Sequence, residues 1–86
     1  MPYQVVIPKT VQKQLDRLPH DVRLKIGEEL VLLAENPRPF GYIKLRGYQD
    51  QYRIRVGDYR IQYRIRDEEL VVLIVSLRHR KDAYRR

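Results

Sequence analysis

The most restrictive feature of this sequence is a strict alternation of apolar and mostly basic residues in two neighbouring segments, 52–56 and 59–66. Because successive side chains of a β-strand point to opposite faces, each segment predicts a strand with one apolar face of tyrosine, isoleucine and valine. The opposite face would carry five arginines, namely Arg53, Arg55, Arg60, Arg64 and Arg66. The alternation therefore predicts a sheet with one face in a core and one cationic face.

Gly57 and Asp58 join the two segments, and a two-residue connection of this kind suits a tight turn between antiparallel strands. In such a hairpin Val56 pairs with Tyr59, and Arg55 pairs with Arg60. Like charges placed side by side cost stability, so five arginines on one face indicate an anionic ligand there. For any single arginine a solvated strand face is the simpler interpretation, whereas the whole row favours anion binding.

The positive charge of the chain lies mainly in its second half. The 86 residues carry 18 Lys and Arg against 11 Asp and Glu, a formal net charge of +7. Residues 1–40 contribute six basic and five acidic side chains, and residues 41–86 contribute twelve and six. This asymmetry indicates a nucleic acid or another strongly acidic partner. No apolar run is long enough to span a membrane, so no membrane partner is expected.

Length and cysteine content narrow the class of protein further. A chain of this size is expected to form a single domain, residues 1–86. The absence of cysteine excludes a disulfide framework and a thiolate metal site, and only His20 and His79 could offer imidazole, so no metal is expected. No cofactor is expected either. The first residues, 1–5, predict the start of a strand and not a signal peptide, which favours a cytoplasmic location.

The order of elements predicts an α+β fold. Residues 3–7 form an apolar, β-branched run that predicts a first strand. Apolar residues at helical spacing predict one helix after Pro8 and a second from Pro19 to a stop at 36–39. The continuous apolar run 70–75 predicts a last strand that is covered on both sides.

The predicted architecture is thus an N-terminal strand, a helical hairpin and an antiparallel three-stranded meander, with the helices packed on one face of the sheet. A short extended stretch within residues 40–47 can precede the meander. Because the helical hairpin covers only one side of the sheet, the arginine face is left for solvent or a ligand.

The last eleven residues add candidates for chemistry. Imidazole changes its protonation near neutral pH, and beside Arg78 and Arg80 the neutral, proton-accepting form of His79 is favoured. A surface histidine without a role is an equally good interpretation of His79. Tyr84 can stack on a base or transfer a proton, although a tyrosine this close to a terminus more often packs.

A set of arginines is expected to converge if this C-terminal segment folds beside the hairpin, namely Arg53, Arg55, Arg60 and Arg80. Guanidinium is a planar fork of donors that matches phosphate oxygens two at a time and stays charged at any working pH. Such a group can hold a phosphate but cannot act as a base.

Four segments are characteristic as a set, namely 44–47, 52–55, 58–63 and 78–84. Together with the order of elements they resemble the RelE/ParE superfamily of toxins from bacterial and archaeal toxin-antitoxin pairs. The resemblance covers nearly the whole chain. For RelE-like members it implies an mRNA interferase, a ribosome-dependent endoribonuclease that cuts mRNA in the A site and is silenced by a partner antitoxin.

The same resemblance implies site residues. In such toxins the 2′-hydroxyl of the RNA attacks the adjacent phosphate without a metal, and the positions that match the active site are Arg53, Arg55, Arg60, Arg80 and Tyr84. Some members carry lysine at positions 53 and 55. Because arginine cannot transfer a proton, acid-base work is expected of Tyr84 or His79. Five further basic residues are candidates for holding RNA, namely Lys44, Arg46, Arg64, Arg78 and Lys81.

Two other functions compete with this interpretation. ParE-like members of the superfamily inhibit DNA gyrase, although they usually lack the full active-site set that Arg53, Arg60, Arg80 and Tyr84 represent here. A non-catalytic nucleic-acid-binding module would use the cationic face as a groove and show salt-sensitive affinity without turnover. The RNase interpretation further predicts that the protein contacts the ribosome and mRNA directly, and DNA only through its antitoxin.

Overall fold

A computed structural model describes residues 2–47 and 49–81 of the chain. The elements are β1 (Gln4–Val6), α1 (Lys9–Asp16), α2 (His20–Glu35), β2 (Ile43–Lys44), β3 (Gln51–Val56), β4 (Tyr59–Arg66) and β5 (Val71–His79). The strands form one sheet in the order β1-β5-β4-β3-β2. Strand β1 runs parallel to β5, and all other neighbouring strands are antiparallel. This α+β architecture confirms the predicted fold class.

Both helices pack on the same face of the sheet. Each helix has one apolar face, because its buried residues recur at helical spacing. These residues are Val11 and Leu15 in α1, and Ile26, Leu30 and Leu33 in α2. They meet the apolar residues of the alternating strands, of which Tyr52, Ile54, Val56, Ile61, Tyr63 and Ile65 are all buried. The alternation read from the sequence therefore separates a core face from an open face, which is the sheet face opposite the helices.

Local sequence signals mark the boundaries of these elements. Pro8 and Pro19 stand directly before the two helices, and α2 ends just ahead of Pro37. The hairpin of β3 and β4 has the predicted register, in which Arg55 lies opposite Arg60. Gly57 adopts a φ of 59° in the connecting turn, a left-handed conformation that glycine reaches without a steric penalty.

Strand β5 differs from its prediction in length and in burial. It continues to His79, and Val75 is 39% exposed, so the expectation of a strand covered on both sides is wrong. The pairing passes from Ile74 opposite Tyr63 to Ser76 opposite Gln62, which leaves Val75 as an extra residue in a β-bulge. Because the bulge shifts the alternation by one residue, Ile74 and Leu77 both face the core.

A polar cluster ties three distant parts of the chain together near Asp67, in the turn between β4 and β5. The Arg38 guanidinium donates to both carboxylate oxygens of Asp67, with an Nη2 to Oδ2 distance of 2.9 Å and an Nη1 to Oδ1 distance of 3.2 Å. The Tyr3 hydroxyl donates to Asp67 Oδ1 at 2.6 Å. These donors, with Arg38 first, hold the pKa of Asp67 below its usual range.

The lowered pKa of Asp67 has a consequence for acid stability. A carboxyl whose pKa is lower in the folded than in the unfolded state stabilises the fold above its ordinary pKa of about 4. That contribution is lost as the pH falls through the folded-state pKa. We expect the melting temperature of Asp67→Asn to be lower than wild type at pH 7 and to fall less steeply below about pH 4. Parallel acid slopes for the two proteins, with Glu68→Gln as the control, would contradict this expectation.

Within residues 2–47 and 49–81, no helix is long and apolar enough to cross a membrane.

Candidate anion-binding site on the open face

Strand register brings polar residues of the open face into two rows. In one row Arg53 of β3 lies opposite Gln62 of β4, which lies opposite Ser76 of β5. In the adjacent row Arg55, Arg60 and Arg78 are cross-strand neighbours in the same way. Paired residues in antiparallel strands project from the same face, so both rows stand on the side that the helices leave open.

A polar pocket of about 190 Å³ lies where these rows meet, and its lining residues are Arg53, Arg60, Gln62, Ser76 and Arg78. Three guanidinium groups, one amide and one hydroxyl thus surround the same small volume. Guanidinium groups crowded together repel one another, and a bound anion relieves that repulsion while accepting their hydrogen bonds. The arrangement is suited to a phosphate group.

The arginines of the open face are not equivalent, because Asp50 partly neutralises Arg64 and Arg66 at the end of β4. Arg64 approaches Asp50 with an Nη2 to Oδ2 distance of 3.1 Å and with Nε at 3.3 Å from both oxygens. The Nε of Arg66 lies 3.9 Å from Asp50 Oδ2. Asp50 therefore offsets part of the positive charge of Arg64, one of the sequence candidates for RNA binding.

The C-terminal end of β5 determines which basic residue enters the pocket. Arg78 faces Arg60 on the open face, and Arg80 follows the strand in a turn. The backbone N–H of Arg80 donates to the Asp58 carbonyl at 2.6 Å, and its Nη1 lies 3.8 Å from Asp58 Oδ1. Arg78, and not Arg80, lines the pocket with Arg53 and Arg60, whereas Arg80 lies beside the hairpin turn.

His79 points to the side of the sheet that carries the helices. It pairs with Tyr59, and the two rings meet edge to face with centroids 5.0 Å apart. Its Nδ1 accepts a hydrogen bond from the backbone N–H of Lys81 at 3.1 Å. The structure therefore does not bring His79 together with the arginines of the pocket, and its visible contacts fix the turn after β5.

The other candidates lie around the pocket or apart from it. Arg55 is exposed and shares the row of Arg60 and Arg78 without lining the pocket. Lys44 and Arg46 line a separate shallow depression at β2 and the turn that follows it. Lys81 is exposed at the end of the described chain. The prediction for Tyr84 falls outside the described residues.

Two polar residues of the pocket, Gln62 and Ser76, were not predicted from the sequence. Gln62 occupies the one non-arginine position on the open face of β4, and this break in the alternation is a usable signal. Ser76 reaches the open face only because the bulge at Val75 shifts the alternation of β5, and nothing in the apolar run before it indicates this. Among the described residues, no group of three or more His, Asp or Glu side chains is placed to hold a metal ion.

The fold and the pocket define a small basic α+β protein with a polar, arginine-lined pocket on the open face of its sheet. A family model described as "ParE toxin of type II toxin-antitoxin system, parDE" matches residues 5–84. The chain therefore belongs to the RelE/ParE family of toxins, as its sequence segments predict.

Relatives with RelE names match over nearly their whole length. The putative toxin RelE1 of Methanocaldococcus jannaschii is 33% identical, with 99% of this chain and 98% of the relative covered. The mRNA interferase toxin RelE of Escherichia coli is 33% identical, with 98% and 92% covered. The toxin chain of the solved archaeal RelE-RelB complex from Pyrococcus horikoshii has a TM-score of 0.84 and 38% identity, with 93% of this chain and 97% of that chain covered.

Proposed function

We propose that this protein is the toxin of a type II toxin-antitoxin pair and a ribosome-dependent endoribonuclease that cuts mRNA in the A site. The observation that carries the proposal is the pocket where Arg53, Arg60 and Arg78 converge. The E. coli relative is named an mRNA interferase, which supports the reaction class. A single domain, residues 1–86, would carry this activity, and a ribosomal substrate would require a cytoplasmic location.

The pocket suits cleavage by the RNA's own 2′-hydroxyl. In that reaction the 2′-oxygen loses its proton to a base and attacks the adjacent phosphorus. The bond to the 5′-oxygen then breaks, and that oxygen takes up a proton. Negative charge builds on the phosphate oxygens at the transition state, where Arg53, Arg60 and Arg78 would stabilise it.

Proton transfer needs a group other than the pocket arginines, because guanidinium does not release its proton at working pH. We propose Tyr84 for this step, or for stacking on a base of the codon, from its match to the family motif. His79 faces the helices, so we assign it no role in proton transfer. Arg55 and Arg80 flank the pocket and would hold the RNA backbone, as would the exposed Lys44, Arg46 and Lys81.

A cognate antitoxin is the proposed protein partner. The P. horikoshii neighbour was solved as a RelE-RelB complex, and that likeness at 38% identity supports a similar heteromer here. An open cationic face is also a surface that an acidic partner segment can neutralise. Ribosome and mRNA are the remaining proposed partners, and DNA would be met only through the antitoxin.

The deciding experiment is primer extension on mRNA in a purified translation system, with and without ribosomes. We expect cuts within A-site codons that require ribosomes, because the ribosome positions the 2′-hydroxyl for in-line attack. Toxin purified together with its neighbouring-encoded partner should give no cuts. Absence of cuts by the free toxin in the presence of ribosomes would overturn the proposal.

Inhibition of DNA gyrase is the second candidate, and it is favoured by one observation. The matching family model is described by the ParE toxin of parDE. A supercoiling assay with purified gyrase separates the two functions. Inhibition of supercoiling by a protein that leaves ribosome-bound mRNA intact would reverse the choice.

A further inference from the structure

We propose that Gln62 is a phosphate-binding residue of the pocket and that Ser76 holds its amide in place for this task. The proposal deepens the proposed function, since it adds a neutral donor to the arginine set of the same site. It rests on the positions of the two residues in the pocket and on one hydrogen bond between them.

Gln62 has a central position on the open face. It lies directly between Arg53 and Ser76 across three adjacent strands, and Arg60 is two residues before it on the same face of β4. Arg78, the cross-strand partner of Arg60, lines the same pocket. An anion held by the three guanidinium groups would therefore lie against the Gln62 side chain.

The contact with Ser76 involves the oxygen end of the Gln62 amide. The Ser76 hydroxyl donates to the Gln62 amide oxygen, with an Oγ to Oε1 distance of 3.3 Å. Because this contact engages the oxygen, the two N–H donors of the amide are the groups that Gln62 can offer to a ligand. Without the hydroxyl, the amide could rotate and present its oxygen, which an anion repels.

A neutral donor has a distinct use among three cations. Each added guanidinium would raise the mutual repulsion of the empty pocket, whereas an amide adds donors without adding charge. Fixed donors aimed at an oxygen that gains charge during the reaction stabilise the transition state more than the ground state. Gln62 is therefore expected to affect the rate of cleavage more than the affinity for the ribosome.

The first test needs no ribosome. Inorganic phosphate is titrated into ¹⁵N-labelled protein, and the side-chain amide signals of Gln62 and the Nε–H signal of Arg53 are followed by NMR. We expect both to shift with the same dissociation constant, while the amide of Gln12, which donates to Asp16 on α1, stays unchanged. In Ser76→Ala we expect phosphate binding to weaken about threefold. A response of Arg53 with a silent Gln62 would refute the inference and leave the arginine site intact.

The second test measures single-turnover cleavage at saturating toxin. We expect Gln62→Leu to lower the rate about tenfold with little change in half-saturating concentration, as for loss of a hydrogen bond to a charged group. Ser76→Ala should lower it about threefold, and Ser76→Thr, which keeps the hydroxyl, should restore it. The double variant should be no slower than Gln62→Leu alone, because Ser76 acts through Gln62.

These outcomes separate the inference from the proposed function. If wild-type protein cuts mRNA and Gln62→Leu cuts equally fast, Gln62 has no role and the nuclease assignment stands. If Ser76→Ala slows Gln62→Leu further, Ser76 does not act through the amide. Should Gln62→Leu unfold, the neutral and similarly sized Gln62→Met replaces it, with the same expected tenfold loss of rate, and unchanged cleavage by that variant would contradict the inference.

Discussion

Replacing Arg78 with alanine is expected to reduce single-turnover cleavage of ribosome-bound mRNA by about 10²-fold or more, the usual cost of losing one donor aimed at a developing oxyanion. Arg78 lines the pocket opposite Arg60, so its guanidinium is placed to share a phosphate with Arg53 and Arg60. We expect the variant to keep its fold. Arg78 is exposed, and removing one of several neighbouring cations relieves repulsion, so the melting temperature should be unchanged or slightly higher.

Two matched arginine variants test the specificity of this result. Arg17→Ala removes an exposed arginine at the C-terminal end of α1, on the helix side of the sheet, and should leave cleavage unchanged. Arg80→Ala removes a cation that lies against Asp58 beside the hairpin turn, and it should cost less than Arg78→Ala. If Arg80→Ala proved the more damaging of the two, the pocket described here would not be the centre of catalysis.

The contrast between Arg78 and Arg80 shows where sequence reasoning ends. The alternation in β3 and β4 was sufficient to predict the hairpin, its register and its cationic face, because a period of two residues determines which side chains share a face. In β5 the first five residues, 71–75, are all apolar and carry no such phase. The bulge at Val75 and the continuation of the strand to His79 were therefore not predictable. Together they place Arg78 on the open face and turn His79 towards Tyr59.

The same limit explains why the sequence did not reveal the roles of other residues of the open face. Whether a charged residue of a strand is neutralised depends on the loop that crosses its end, as Asp50 shows at Arg64. Sequence alternation assigns Arg64 and Arg60 to one face but does not reveal that only Arg60 lines the pocket. The sequence shows Gln62 as the one position on the open face of β4 that is not arginine. Its proposed role in phosphate binding depends on Ser76, whose position follows from the bulge.

Replacing Ile61 with alanine is expected to lower the free energy of unfolding by about 2–5 kcal/mol. Ile61 is 1% exposed on the core face of β4 and is the cross-strand partner of Ile54 and Leu77. The shortened side chain removes apolar contacts and leaves a cavity in a sheet whose backbone hydrogen bonds prevent collapse. Urea denaturation followed by circular dichroism measures the loss. Val75→Ala, at the 39% exposed bulge residue, should cost about 0.5 kcal/mol or less.

Ile61 and Arg78 lie on opposite faces of the sheet, so their variants should separate stability from chemistry. Ile61 lies between Arg60 and Gln62 in sequence but points away from the pocket, and the strand that carries all three stays paired on both sides. Where Ile61→Ala is still folded, its cleavage rate per folded molecule should match wild type, whereas Arg78→Ala should be folded and nearly inactive. A folded Ile61→Ala protein that has lost cleavage would mean that the core sets the pocket geometry more finely than the strand register does.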